Sequence, residues 1–254
     1  MESFSFLKIP THNGLTMIID KGQSPEYVEH SMRVFGKYIS CAKFGWGTSA
    51  VQSEEIIMEK IEIYKKYGVK PYPGGTLFEY AFKEDKFEEF LTYCKKLGFE
   101  CVEISDGSMD IDFSSKCECI RKAKEFGFIV LSEIGKKSIE EDAKIPISEK
   151  IKNLKLELES GSDFVILEGR EGGKSIGLYD EKGNLKQDDL NEIVNSDIDF
   201  KKLIFEAPLK NQQIEFIMRF GNSVNLGNIA FDEVISLETL RRGLRGDTFG
   251  KIPK

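Results

Sequence analysis

Histidine is nearly missing from this chain: of 254 residues, only His12 and His30 are of that type. Neither falls at the end of an expected strand, so imidazole acid–base catalysis and His-dependent triads are set aside. Long apolar runs are missing as well. None approaches the roughly 20 residues that span a bilayer. The opening Met-Glu-Ser-Phe-Ser-Phe-Leu-Lys lacks the basic start and long apolar stretch of a secretory signal. There is no basic surplus: 36 Lys and Arg against 43 Asp and Glu give a net charge of -7. That argues against nucleic acid or an anionic membrane as partner. The five cysteines, Cys41, Cys94, Cys101, Cys117 and Cys119, are odd in number and form no secreted framework. Reduced thiols in the cytoplasm are the expectation. Cys117 and Cys119 stand two apart in an expected helix and lack the four-ligand set of structural zinc.

What is present is a punctuated period. Helix-like segments end in Gly36, Gly68, Gly98, Gly127, Gly161 and Gly221, with gaps of 32, 30, 29, 34 and 60 residues. The last gap is two units long, and its missing cap falls near Asn195, the other residue that tolerates a left-handed helix end. About 30 residues is the size of one βα unit. Ser53 reads as a helix cap, followed by Glu54 and Glu55 and then by Ile57, Ile61 and Tyr64 at helical spacing. Phe87, Phe90, Leu91, Cys94 and Leu97 repeat that spacing one unit later. Short apolar strands are expected at 15–19, 39–43, 69–72, 101–104, 129–131, 164–167, 203–205 and 224–226. Runs apolar on both faces are typical of parallel strands buried under helices. Eight near-equal units without a break in composition predict one (β/α)8 barrel over residues 1–254. Longer loops are expected at 138–148 and 169–184.

In such a barrel the reacting groups stand at the carboxyl ends of the strands. Here strands four to seven each end in glutamate: Glu103, Glu133, Glu168 and Glu206. Any one of them has a plainer reading as half of a structural ion pair. Together they repel unless a cation or proton intervenes. Two or three of them suit magnesium, which takes a few carboxylates plus waters. Lys21, Lys43, Lys136, Lys137 and Arg170 fall at or just beyond strand ends, and Asn225 and Asn228 lie at the eighth. Cations gathered at one face of an acidic protein point to a small, multiply charged anion as substrate. Glycine-rich segments at 45–49 and 73–76 can bring backbone amides to oxyanions. Gly173-Lys174-Ser175 is no P-loop, because Glu168 stands where its first glycine belongs. The arginines of 241–246 can bind a phosphate, make an interface or hold the C-terminus down.

Several long motifs resemble the phosphosulfolactate synthase family. They are Lys43-Phe-Gly-Trp-Gly-Thr-Ser-Ala50, Tyr72-Pro-Gly-Gly-Thr-Leu-Phe-Glu79, Val102-Glu-Ile-Ser-Asp-Gly-Ser108 and Glu133-Ile-Gly-Lys-Lys137. Glu168-Gly-Arg-Glu171, Phe205-Glu-Ala-Pro208, Val224-Asn-Leu-Gly-Asn-Ile229 and 233–249 complete the set. Gly227 stands where relatives also carry alanine. The resemblance implies the same barrel fold and a magnesium-dependent addition of sulfite to phosphoenolpyruvate. It implies Lys137 as the acid that protonates the intermediate, a homo-oligomer with a trimer as the suggested form, and a place in coenzyme M biosynthesis. Two other readings differ in kind. One is a barrel lyase in which Lys43 or Lys137 forms a Schiff base. The other is a non-catalytic, stress-related relative, which the retained lysine and strand-end carboxylates count against.

Overall fold

In a computed structural model, which describes residues 4 and 6–252, eight parallel strands form one sheet. They are β1 (Thr16–Asp20), β2 (Cys41–Phe44), β3 (Lys70–Pro73), β4 (Cys101–Ile104), β5 (Ile129–Ile134), β6 (Phe164–Leu167), β7 (Leu203–Glu206) and β8 (Leu226–Ile229). Their order is β3-β2-β1-β8-β7-β6-β5-β4, and β3 lies against β4, which closes the ring. The helices α1 (Pro25–Phe35), α2 (Glu54–Lys66), α3 (Gly75–Lys83), α4 (Phe87–Leu97) and α5 (Phe113–Glu125) occupy the first half. The short α6 (Ile139–Asp142) is followed by α7 (Ile147–Glu159), α8 (Gln187–Val194), α9 (Lys210–Phe220) and α10 (Val234–Arg241). The fold is the expected (β/α)8 barrel. Among the described residues no helix is long and apolar enough to cross a membrane.

Local signals start and stop these helices. Ser24 and Ser53 cap α1 and α2 by accepting from the Tyr27 and Ile56 amides, and Pro25 opens α1. Such caps are worth about 1 kcal/mol each. Gly68, Gly98, Gly127, Gly161 and Gly221 adopt positive φ where helices turn back into strands. Two expected caps differ: Gly36 (φ -54) and Asn195 (φ -82) stay in the right-handed region. The period survives because the next strand, not the cap, sets the length of the unit.

The interior has two storeys. Met17, Cys41, Tyr72, Cys101, Leu131, Ile166 and Ile204 form an apolar layer inside the ring. Side chains two residues on share the same face of a strand. The storey above is therefore Ile19, Lys43, Glu103, Glu133, Glu168 and Glu206. The larger core, including Phe44, Tyr64, Phe78, Val102, Val130 and Phe205, lies between strands and helices. All five cysteines are buried and free, and burial pushes the Cys94 thiol up to about 12.

One strand is displaced from its expected place. The sequence places β8 at 224–226, and it runs at Leu226–Ile229. Gly227 is inside the strand. A Cβ there would lie 2.3 Å from Met17 Cε and 3.1 Å from Ile204 Cγ2, so an added methyl would have to push the flexible Met17 tip aside.

Candidate active site

Lys43 stands at the centre of the barrel mouth. Its ammonium lies 3.1 Å from Glu103 Oε2, 3.1 Å from Glu133 Oε2 and 3.2 Å from Glu206 Oε1. The three carboxylates are all but buried. Burial opposes charge on Lys43, but the glutamates outweigh it and hold its pKa well above the ordinary lysine value. Backbone amides share the load. The Gly75 amide donates to Glu103 Oε1 at 2.8 Å, and a Cβ on Gly75 would meet Ser105 Oγ at 2.2 Å. The Gly169 and Arg170 amides donate to Glu206 Oε2 at 2.9 and 3.0 Å, and the Arg170 amide also reaches Glu168 Oε1 at 2.7 Å.

Glu133, Glu168 and Glu206 offer oxygens within 4.8 Å of one another. Among the described residues, Glu133 Oε1 and Glu168 Oε2 are buried and have no hydrogen-bond partner beyond the neighbouring carboxylates. Carboxylates this close need a proton or a cation between them. Glu168 is the carboxyl of the three most disposed to keep a proton when no cation is bound. Burial, then Glu133 and Glu206, push its pKa well above the usual carboxylate range. Glu133 goes the other way: burial raises it, but Lys43 and Lys137 outweigh burial and hold it below. An all-oxygen, anionic donor set with orphaned lone pairs fits a hard divalent cation. These three side chains can therefore hold a metal ion.

Burial pushes the Glu103 carboxyl up to about 7, against the pull of Lys43. Its folded pKa therefore lies above its unfolded one. The stability that this group contributes is complete below about pH 4.5 and is lost as pH rises through about 7. Glu168 acts in the same direction. The metal-free chain should show a falling melting temperature between pH 5 and 8, read by calorimetry. A saturating divalent cation should flatten that slope, because it replaces the protons, and its affinity should rise with pH.

A cavity of about 350 Å³ opens over this layer, lined among others by Lys43, Trp46, Gly75, Glu168, Arg170 and Asn228. Lys137 lines it too, with about a third of its side chain exposed. Burial lowers the Lys137 pKa, but Glu133, Glu79 and Glu168 outweigh it and hold the group above the ordinary value. Lys137 is an ammonium at neutral pH. Arg170 reaches across to the Lys137 carbonyl, 3.1 Å from its Nη1. Asn228 sits at positive φ, and its Oδ1 has no hydrogen-bond partner among the described residues.

Three residues expected here stand elsewhere or back from the cavity. Lys136 turns away from the mouth and is held by Asp106 Oδ2, the Asp106 and Met109 carbonyls and Asp110. Asn225 lies at the opposite end of the barrel, because β8 starts after it. Its Oδ1 accepts from Leu15 N at 2.9 Å, and its Nδ2 donates to the Lys201 and Leu203 carbonyls. Asn225→Ala should lower stability by about 2 kcal/mol, the cost of stranding buried backbone groups, and leave KM values unchanged. A raised KM at full stability would return Asn225 to the site. Lys21 stacks on the Trp46 ring, 4.7 Å from its centroid; Trp46 lines the cavity and Lys21 does not. The tail arginines anchor the chain: buried Arg241 donates to the Val224 and Leu15 carbonyls, and Arg242 pairs with Glu238. His12 is bonded to Glu238 at 2.7 Å.

Sequence reasoning gave no role to Glu79 or Lys116. Both are buried charges on helices, and no period or strand end marks them. Lys116 Nζ donates at 2.7 Å to both Asp106 Oδ1 and the Glu133 carbonyl, and it pairs with Glu157. It fixes the backbone that carries Glu133.

With this geometry in place, comparison with known proteins is informative. The family model for (2R)-phospho-3-sulfolactate synthase (ComA) matches residues 5–247. The chain belongs to the phosphosulfolactate synthase family. It is 55% identical to a phosphosulfolactate synthase of Methanocaldococcus jannaschii, over 99% of this chain and 100% of that one. It is 42% identical to one of Methanothermobacter thermautotrophicus, over 99% of each. Among solved structures, 3-hexulose-6-phosphate synthase of Salmonella typhimurium superposes with a TM-score of 0.56 at 14% identity, covering 93% of this chain and 94% of that one. At that identity the likeness is one of fold alone. The motifs that carried the resemblance in sequence supply Lys43, the four glutamates and Lys137 of the mouth.

Proposed function

We propose that this protein is a phosphosulfolactate synthase that adds sulfite to phosphoenolpyruvate, giving (2R)-2-phospho-3-sulfolactate. The observation that carries the reading is one asymmetry in the mouth. An ammonium, Lys137, faces a buried acidic triad across a cavity sized for a small anion. In the addition, sulfite sulfur bonds to the methylene carbon and the carbon–carbon π pair moves toward the carboxylate. The neighbouring carbon then takes one proton, and no group leaves. Lys137 donates that proton. Its high pKa keeps it charged until an enediolate-like base appears beside it. Lys43, Arg170, Asn228 and the amides of the glycine-rich β2–α2 segment bind and orient the anions. Lys21 supports Trp46 at the rim.

Glu133, Glu168 and Glu206 would hold Mg2+, with Glu103 beside them as the partner of Lys43. Once bound, the cation would stabilise negative charge gathering on the substrate carboxylate. The free, buried thiols suit a reducing cytoplasm. A homo-oligomer, in the form of a trimer, belongs to the same reading. A Schiff-base mechanism is disfavoured by chemistry, since it needs a neutral amine and both lysines are held charged. Leaving out sulfite, phosphoenolpyruvate or magnesium in turn tests the proposal. Loss of phosphoenolpyruvate should require all three, and consumption without sulfite would overturn it.

A further inference from the structure

Glu79 is a buried carboxylate that the chemistry above does not use. It stands on α3, away from any strand end, and is 4% exposed. Its Oε1 accepts from Ser105 Oγ at 2.7 Å and from the Ser108 amide at 3.3 Å. The same oxygen lies 3.8 Å from Lys137 Nζ. Glu79 does not line the cavity over Lys43, whereas Lys137 and Ser108 do. It therefore reaches the reacting atoms only through a neighbour.

The loop from β4 to α5 completes a seat for Lys137. The Lys137 amide donates to the Gly107 carbonyl at 2.8 Å. A Cβ on Gly107 would lie 3.2 Å from Lys137 Cε and 3.3 Å from its Cγ, so the lysine stem rests on a bare α-carbon. On the other side, Lys136 is tied to Asp106, which is itself held by Lys116. The backbone of this lysine pair is thus fixed, and the flexible part is the Lys137 stem. A free lysine stem has many rotamers open to it. A fixed anion beside its tip is the simplest way to confine it.

We infer that Glu79 is the positioning residue for Lys137: held by Ser105 and Ser108, its carboxylate sets where the ammonium points, and so which face of the reacting carbon receives the proton. The inference rests on the reading of Lys137 as proton donor. Misplacement of a reacting group by about 1 Å costs on the order of 100-fold in rate. Substrate binding, which Glu79 does not touch, should be spared.

The test compares Glu79→Gln, Ser105→Ala and Lys137→Ala in the full chain, with phosphoenolpyruvate, sulfite and magnesium in D2O. Glu79→Gln should lower kcat roughly 10- to 100-fold with KM for both anions near wild type. Its product should carry deuterium at the phosphate-bearing carbon in both configurations, because the donor is no longer aimed. Ser105→Ala should move kcat the same way by a smaller factor. It also serves as the test if Glu79→Gln does not fold. Wild-type kcat and a single configuration in these variants, beside an inactive Lys137→Ala, would overturn the role of Glu79 alone. A rise in KM matching the loss in kcat would overturn it too, by placing Glu79 in substrate binding. Full activity in Lys137→Ala would instead sink the proton-donor reading beneath it.

Discussion

Lys137→Ala should lose roughly 1,000-fold in kcat, the usual scale for removing a positioned general acid, while KM for phosphoenolpyruvate changes by less than about threefold. The side chain is about one-third exposed and makes one loose ion pair, so the fold should tolerate its removal. A melting temperature within a few degrees of wild type would confirm that the loss is chemical. The prediction separates Lys137 from its neighbour. Lys136 is bound by Asp106, Asp110 and two carbonyls, and Lys136→Ala should cost stability before it costs turnover. If steady-state kinetics show comparable activity in Lys137→Ala, the proton comes from another group.

Glu168→Gln should weaken magnesium binding roughly 100-fold and lower turnover in step. Burial and two like charges push the Glu168 pKa up, which favours its neutral form when no cation is bound. Glutamine imitates that neutral state in shape, so the metal-free variant should be at least as stable as wild type. What it cannot do is supply an anionic ligand when the cation enters. Titration calorimetry should show weaker binding and fewer protons released than in wild type. Unchanged affinity and proton release would move the metal away from the Glu133, Glu168 and Glu206 triad.

These predictions depend on features of unequal legibility. The carboxylates could be read from sequence because each strand repeats an apolar residue and then, two positions on, a glutamate: Leu131 and Glu133, Ile166 and Glu168, Ile204 and Glu206. Alternation alone puts both on the lumen face, and helices on the outside make the remaining face apolar as well. The division of labour among the glutamates was not legible. It depends on where Lys43 reaches across the ring, and no local pattern encodes that distance. Lys136 and Lys137 are adjacent and alike in sequence. Asp106, thirty residues away, decides which of them turns outward. Asn225 looked like a strand-end residue because Val224-Asn225-Leu226 is the apolar part of its segment. The strand lies further on, at Leu226–Ile229, with Gly227 inside it beside Met17. Glu79 was hidden by the glycine-rich stretch before it, which reads as a loop and instead opens α3.

The most direct test of the central claim is phosphorus NMR of the purified chain with phosphoenolpyruvate, sulfite and magnesium. An addition keeps the phosphate ester intact. The phosphoenolpyruvate signal should therefore give way, only when sulfite is present, to one new ester signal without release of inorganic phosphate. The new compound should carry sulfur on the former methylene carbon. A phosphoenolpyruvate signal that persists with all components present, or one replaced by inorganic phosphate, would contradict the account.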